Sequence, residues 1–297
     1  MKRIGIVGLG DMGIGLSRNL LKAGFDLTGF DLLEERRQQL TEAGGTAVHS
    51  LNEVGRNSDT VFVMVLNGQQ ALDVVTVPGG LKESMSAGAT IIVSATIEPK
   101  EVRAVKVALD GSGIELIDTP VSGGKSGAEN GTLTMMAAAK KNVLDANREV
   151  LQAVGKDIFH VGEQIGMGQT VKASLQALIG STFTAIFESL VLGSKAGIPG
   201  KVLYEVFTSS GVRSPLLEGC AKLIMDRAFK DTGSHIGTMY KDLGITMNMA
   251  RENGVAMFTT SAAQELFQSG ISMFPDEDNW SIVKLLEQIA GTEVTWE

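Results

Sequence analysis

Apolar residues in the first half of the chain fall in short runs: IGIVG (4–8), DLTGF (26–30), TVFVMV (60–65), TIIVSA (90–95), IELIDT (114–119), TLTMMA (132–137) and IFHVG (158–162). Segments with apolar residues every three or four positions, such as GIGLSRNLLKAG and LLEERRQQLTEAG, separate most of them. Strands alternating with helices predict a mostly parallel, doubly wound sheet. Near-continuous apolar strands are what burial on both faces of such a sheet requires.

After about residue 165 the period changes. GQTVKASLQALIGSTFTAIFESLVLGSKAG reads as one helix of about seven or eight turns. KVLYEVFTSS, PLLEGCAKLIMDRAF, DLGITMNMARENG, TTSAAQELFQSG and WSIVKLLEQIAG also follow a helical period, with glycine and proline between them as in AGIPG. The pattern predicts an α/β domain over 1–164 and an all-helical domain over 165–297, joined by the long helix; the resemblance described below makes the first a Rossmann domain and the second the substrate and oligomerisation domain.

Composition narrows the partners. With 297 residues the chain is long enough for two domains. Lys and Arg number 26 against 34 Asp and Glu, a net charge of −8, and no basic run is present. That balance speaks against nucleic acid and anionic membranes, while leaving room for a small anion at a local positive site. The apolar start of MKRIGIVGLGDMG is broken by glycines and Asp11, unlike a signal peptide. No run reaches 18 apolar residues; ALIGSTFTAIFESLVLG comes nearest and carries Glu188, so no membrane span is expected. The single Cys220 fits a reducing cytoplasm. His49, His160 and His235 have no metal-ligand spacing, and no metal site is expected.

VGLGDMG supplies Gly8, Gly10 and Gly13 in G-x-G-x-x-G spacing, with Leu9 and Met12 between them. The motif follows a predicted strand and opens a predicted helix, which is the setting a dinucleotide needs. Gly8 permits the tight turn, Gly10 lets the pyrophosphate approach the backbone, and Gly13 lets helix pack on strand. Asp31 ends the next strand, where a carboxylate accepts hydrogen bonds from the adenosine ribose and repels the extra phosphate of NADP. Leu32 follows where an arginine would have suited that phosphate, and Arg36 and Arg37 are expected to lie a helical turn or more too far along. NAD is therefore expected over NADP.

Hydride transfer at a carbinol needs a partner for the hydroxyl proton. Lys172 opens the long helix, at an expected cleft between domains, and shares a face with Leu175, Gln176, Ile179, Phe183 and Ile186. Apolar walls disfavour the charged form of an ammonium, which suits it to proton exchange. Periodicity alone favours the plainer reading, in which Lys172 buries its stem and keeps its amine in water.

GLGDMG, DTPVSGGKSGAENGTLT (118–134), GMGQTVKASLQ (166–176) and YKDLG (240–244) together resemble the β-hydroxyacid dehydrogenases, the 3-hydroxyisobutyrate dehydrogenase family. Four motifs in order cover nearly the whole chain. The resemblance implies a Rossmann domain followed by a helical domain, oxidation of a CH–OH group on a small hydroxy acid, and a homodimer or homotetramer. It implies Lys172 as the catalytic lysine and the loop of Ser122, Gly123 and Gly124 as the binder of the substrate carboxylate. Val65, Leu66 and Thr96 match loops beside the nicotinamide and its ribose, and Lys241 matches a lysine on the cofactor side. Gln176 stands where the family usually has asparagine, one methylene longer at the substrate. The long helix and the DEDNWSIVKLLEQIAG tail look most similar to the branch acting on sugar acids such as L-threonate. Reduction of a small aldehyde acid of the succinic semialdehyde type, imine reduction, and a dinucleotide-binding sensor without turnover are the other readings of this architecture. The lysine counts against an imine reductase, and Asp31 against an NADPH-dependent aldehyde-acid reductase.

Overall fold

The computed structural model describes residues 2–297. Its first half is a nine-stranded sheet: β1 (Arg3–Val7), β2 (Asp26–Phe30), β3 (Thr46–Ala47), β4 (Thr60–Val63), β5 (Thr90–Val93), β6 (Glu115–Asp118), β7 (Val121–Ser122), β8 (Leu133–Ala138) and β9 (Gly155–Gly162). The order across the sheet is β3-β2-β1-β4-β5-β6-β8-β7, with β9 beside β8. The strands from β3 across to β6 are parallel. β8 runs antiparallel to β6 and β7, and β9 parallel to β8. The chain between β6 and β8 spends its length on β7 and the short helix Gly124–Asn130, so it re-enters the sheet from the end it left. All seven apolar runs contain strands. β3 and β7 span two residues each, too few to show a period.

Each central strand feeds two cores, because successive side chains leave opposite faces. Ile4, Ile6, Phe62, Ile92 and Ile117 face one side, with Leu16 and Leu20 of helix α1 (Asp11–Lys22). Val7, Val61, Val63, Ile91, Val93 and Leu116 face the other, with Val74, Val102 and Val105 of the helices on that side. Burial on both faces is why these strands read as continuous apolar runs.

The chain divides into two compact units, the first running to Lys172 and the second from Ala173 to Glu297. The division falls inside the long helix, α2 (Met167–Lys195). The second unit is helical and includes α3 (Ile236–Glu252). Phe183, Phe187, Leu190, Ile224, Leu243, Phe267 and Ile282 form its core. Trp280 packs edge-on against Phe183, with ring centroids 5.2 Å apart. By length and composition α2 is apolar enough to cross a membrane, at a mean hydropathy of 1.5. That differs from the expectation of no span, because a window average absorbs the Glu188 and hydroxyl interruptions. In the structure its Phe183, Ile186, Phe187 and Leu190 are buried in the helical core.

Candidate active site

The strand order reverses between β1 and β4, whose carboxyl ends lie side by side, with those of β5 and β6 beyond β4. Open α/β sheets present ligand crevices at that point. Gly8 has φ +92°, and a Cβ there would collide with the Met64 carbonyl oxygen; a Cβ on Gly13 would strike the carbonyl oxygen of Gly8. These two glycines are required by the turn itself. Gly10 differs: a Cβ would meet nothing nearer than the Arg36 guanidinium at 3.7 Å. It is the N-cap of α1 and makes no side-chain cap. The first-turn N–H groups of α1 and an uncrowded backbone therefore suit a pyrophosphate.

Asp31 follows β2 and is buried. Its Oδ2 accepts the Leu9 N–H at 2.8 Å and its Oδ1 the Leu33 N–H at 2.9 Å. A carboxylate has about four lone-pair sites, so capacity for ribose hydroxyls remains. Arg36 corrects the sequence reading. It is not a turn too far: its Nη1 lies 3.5 Å from Asp31 Oδ2. Arg37 donates to the carbonyls of Asp31 and Leu32, bracing the same turn. Met12 and Val65 are half-buried against the two cores, and Leu66 is exposed with its N–H on Gln70 Oε1 at 2.9 Å. Thr96 lies just after β5, half-buried.

Ser122 ends β7, and Gly123 and Gly124 follow with φ +130° and +59°. Both values lie where L side chains are strained, which accounts for paired glycines. Near this loop, Asp118 ends β6 with its side chain fully buried. Asp118 Oδ2 accepts the N–H groups of Gly166, Gly168 and Gln169 at 2.8, 3.1 and 3.4 Å. Asp118 Oδ1 accepts Gln169 Nε2 at 3.0 Å. The same Nε2 donates to the Ala95 carbonyl at 3.0 Å, while Gln169 Oε1 accepts the Ile97 N–H at 3.1 Å. Burial pushes the Asp118 carboxyl up to about 6, against the pull of these donors. A Cβ on Gly168 would lie 2.7 Å from the Asp118 carbonyl oxygen, so only glycine lets α2 start this close to the strand ends. Lys172 follows on the next turn and is 6% exposed.

Gln176 is one turn beyond Lys172 on α2 and is also buried. Its Nε2 donates to Asp242 Oδ2 at 2.6 Å. Lys241, half-buried, pairs with Asp242 Oδ1 at 2.9 Å. The histidines serve locally: His235 Nδ1 accepts the Gly237 N–H as the cap of α3, and His160 Nε2 lies 2.9 Å from the Ala139 carbonyl. Among the described residues no cluster of three or more His, Cys, Asp or Glu could hold a metal.

Residues 3–162 match the model for the NAD-binding domain of 6-phosphogluconate dehydrogenase, and residues 166–286 that for the NAD-binding region of NADP-dependent 3-hydroxyisobutyrate dehydrogenase. The chain is 34% identical to the 2-(hydroxymethyl)glutarate dehydrogenase of Eubacterium barkeri, over 99% of this chain and 97% of the relative. The chain belongs to the β-hydroxyacid dehydrogenase family. It is 31% identical to the L-threonate dehydrogenase of Cupriavidus necator, with 97% of each covered. A crystal structure of 3-hydroxyisobutyrate dehydrogenase from Salmonella typhimurium superimposes with a TM-score of 0.87 at 30% identity, over 96% of this chain and all of that one. This β-hydroxyacid dehydrogenase is thus an oxidoreductase of small hydroxy acids that uses a nicotinamide dinucleotide.

Three side chains of this β-hydroxyacid dehydrogenase escape a reading of its sequence: Asp118, Gln169 and Asp242. All lie inside quoted motifs, as neighbours of the residues singled out. Asp118 carried one signal, an acid closing the otherwise apolar strand IELID. A buried acid needs donors, and an adjacent helix start supplies them.

Proposed function

We propose that Lys172 is the general acid/base of an NAD-preferring hydroxyacid dehydrogenase. The observation that carries this is its burial: the lysine is 6% exposed, on a stripe that continues into the core through Phe183 and Ile186. During oxidation Lys172 Nζ takes the hydroxyl proton of the acid; during reduction it returns it. The bound nicotinamide supplies the hydride acceptor. Ser122 with the N–H groups of Gly123 and Gly124 holds the substrate carboxylate. Gly8, Leu9, Gly10, Met12, Gly13, Asp31, Val65, Leu66, Thr96 and Lys241 form the cofactor side. The first unit binds the dinucleotide, and Gln176 is a substrate contact. A sugar acid is the proposed substrate class, supported by the L-threonate dehydrogenase relative. A homodimer or homotetramer in the cytoplasm completes the reading; exposed Leu178 and Leu192 on α2 support an oligomer.

A kinetic panel of three- to five-carbon hydroxy acids with NAD and with NADP, followed by NADH or NADPH absorbance, tests this directly. Turnover of at least one sugar acid with NAD is expected; turnover confined to aldehyde acids with NADPH would replace the reading.

Cofactor choice has its own test. Asp31→Ser removes the carboxylate and frees Arg36, whose guanidinium suits a phosphate. The ratio of Kd values should move about tenfold or more towards NADP, and Arg36→Ala on that background should undo the shift. Calorimetric titration with both cofactors measures it. An unchanged ratio would mean that Asp31 does not read the ribose.

A further inference from the structure

The loop of Ser122, Gly123 and Gly124 opens the short helix Gly124–Asn130, and the glycine turn opens α1. These two helices pack side by side within the first unit. Asn19 Nδ2, on α1, donates to the carbonyls of Ala128 and Glu129 at 2.7 and 3.1 Å. A Cβ on Gly15 would lie 2.9 Å from the Ala128 Cβ, so glycine is what lets the helices touch. The packing fixes the backbone of Lys125, in the first turn of the short helix, relative to Asp11, the first residue of α1. Lys125 Nζ lies 3.9 Å from Asp11 Oδ2, and the two side chains are 39% and 71% exposed. At that separation the charges attract without a hydrogen bond, and an exposed pair of this kind adds little to fold stability. Its position matters more than its strength. Asp11 stands in the turn suited to a pyrophosphate, inside the matched NAD-binding domain. A carboxylate there repels a pyrophosphate, and a neighbouring ammonium offsets that repulsion.

We propose that Lys125 is a cofactor contact: its ammonium exchanges Asp11 for the pyrophosphate of the bound dinucleotide. The cation that completes the glycine turn then comes from the helix of the substrate loop. The inference rests on the placement of the dinucleotide at Gly8, Gly10 and Gly13 proposed above. Charge favours the exchange, because Asp11 offers one negative charge and a pyrophosphate two. Lysine suits it, being a point charge on a flexible stem with three rotatable donors. The exchange needs only side-chain rotation, since Asn19 and the Gly15–Ala128 contact hold the two helices together.

Fluorescence titration with NADH, and competition by ADP-ribose, test this with no acid present. Both probes carry the pyrophosphate, and only NADH carries the nicotinamide. Lys125→Met keeps most of the stem and removes the charge. It should raise both Kd values by about tenfold at about 20 mM salt, and by less than about threefold at about 0.5 M, where exposed charges are screened. Lys125→Arg should stay within about threefold of the intact protein, and Asp11→Asn should tighten both probes by about threefold. Gly10→Ala is the control for the turn. Gly10 has φ −63°, and a Cβ there would meet nothing nearer than 3.7 Å, so the variant folds while its methyl group blocks the pyrophosphate's approach. Loss of NADH binding in Gly10→Ala with unchanged binding in Lys125→Met overturns this inference and leaves the turn standing. A Gly10→Ala protein that binds NADH as the intact one does overturns both. A loss on NADH alone would put the lysine at the nicotinamide end, and unchanged binding of both probes with a raised KM for the acid would make it an acid contact; either overturns the inference. So does a loss that persists in full at high salt, the mark of a packing defect.

Discussion

Lys172→Ala should bind NADH within about threefold of the intact protein while its turnover falls by about 10³-fold, within the usual range for removing a general acid/base. The two effects separate because of where the groups lie. The glycine turn at Gly8, Gly10 and Gly13 and the carboxylate of Asp31 come from β1 and β2, and the start of α2 is held by Asp118 and Gln169 rather than by the lysine. Truncation at Cβ therefore leaves the backbone of α2 anchored. Lys172→Arg is the sharper variant. It keeps a cation on a long stem, but guanidinium does not give up its proton near neutral pH, so it cannot take one from an alcohol. If Lys172 acts only as a charge that attracts the acid, arginine restores most of the rate; if it exchanges a proton, arginine is nearly as inactive as alanine. NADH fluorescence measures binding, and steady-state absorbance measures turnover. Undiminished turnover in either variant would take the lysine out of the chemistry. Equal losses in binding and turnover would make it a cofactor contact.

How much of this could be read beforehand depended on whether one element or two set the environment. β1, β4, β5 and β6 announced themselves because Ile4, Phe62, Ile92 and Ile117 face one core while Val7, Val61, Val63 and Val93 face the other. Such a strand is apolar throughout, whatever surrounds it. The glycine turn was legible for a related reason: Gly8, Gly10 and Gly13 act within one strand–turn–helix unit. Arg36 was misjudged because its backbone does sit a turn away, while its long side chain folds back to Asp31. Side-chain reach is not visible in spacing. Lys241 pairs with the buried carboxylate of its neighbour Asp242, a burial that the two positions alone do not show. Asp118 and Gln169 are the clearest case. They lie 51 positions apart, one at a strand end and one in a helix's first turn, and neither shows a pattern alone.

That pair supplies the second large effect. Asp118 accepts from Gln169 Nε2, which also donates to the Ala95 carbonyl, while Gln169 Oε1 takes the Ile97 N–H. Donors and acceptors alternate, so neither residue can be reversed alone. Asp118→Asn turns one acceptor into a donor and sets two NH₂ groups against each other, or leaves N–H groups of Gly166, Gly168 or Gln169 unmatched. Each unmatched buried group costs about 1–3 kcal/mol. The start of α2 then shifts, and Lys172 shifts with it on the next turn. A displacement of about 1 Å at a reacting group is worth about 10²-fold, so kcat should fall by about 10–100-fold with little change in NADH affinity. A pH signature accompanies it. The carboxyl is raised from 3.8 to about 6 by burial, so the folded protein holds its proton more tightly than the unfolded chain does. The stabilisation is present in full below about pH 3.8, declines as pH rises, and is lost above about 6. Asp118→Asn should erase that part of the stability–pH curve. Gln169→Leu should lower kcat by a similar factor, and the double variant should cost little more than either single one, because both break the same latch. Additive losses, or an unchanged kcat in Asp118→Asn with the pH slope intact, would show that this carboxylate only fills space under the helix.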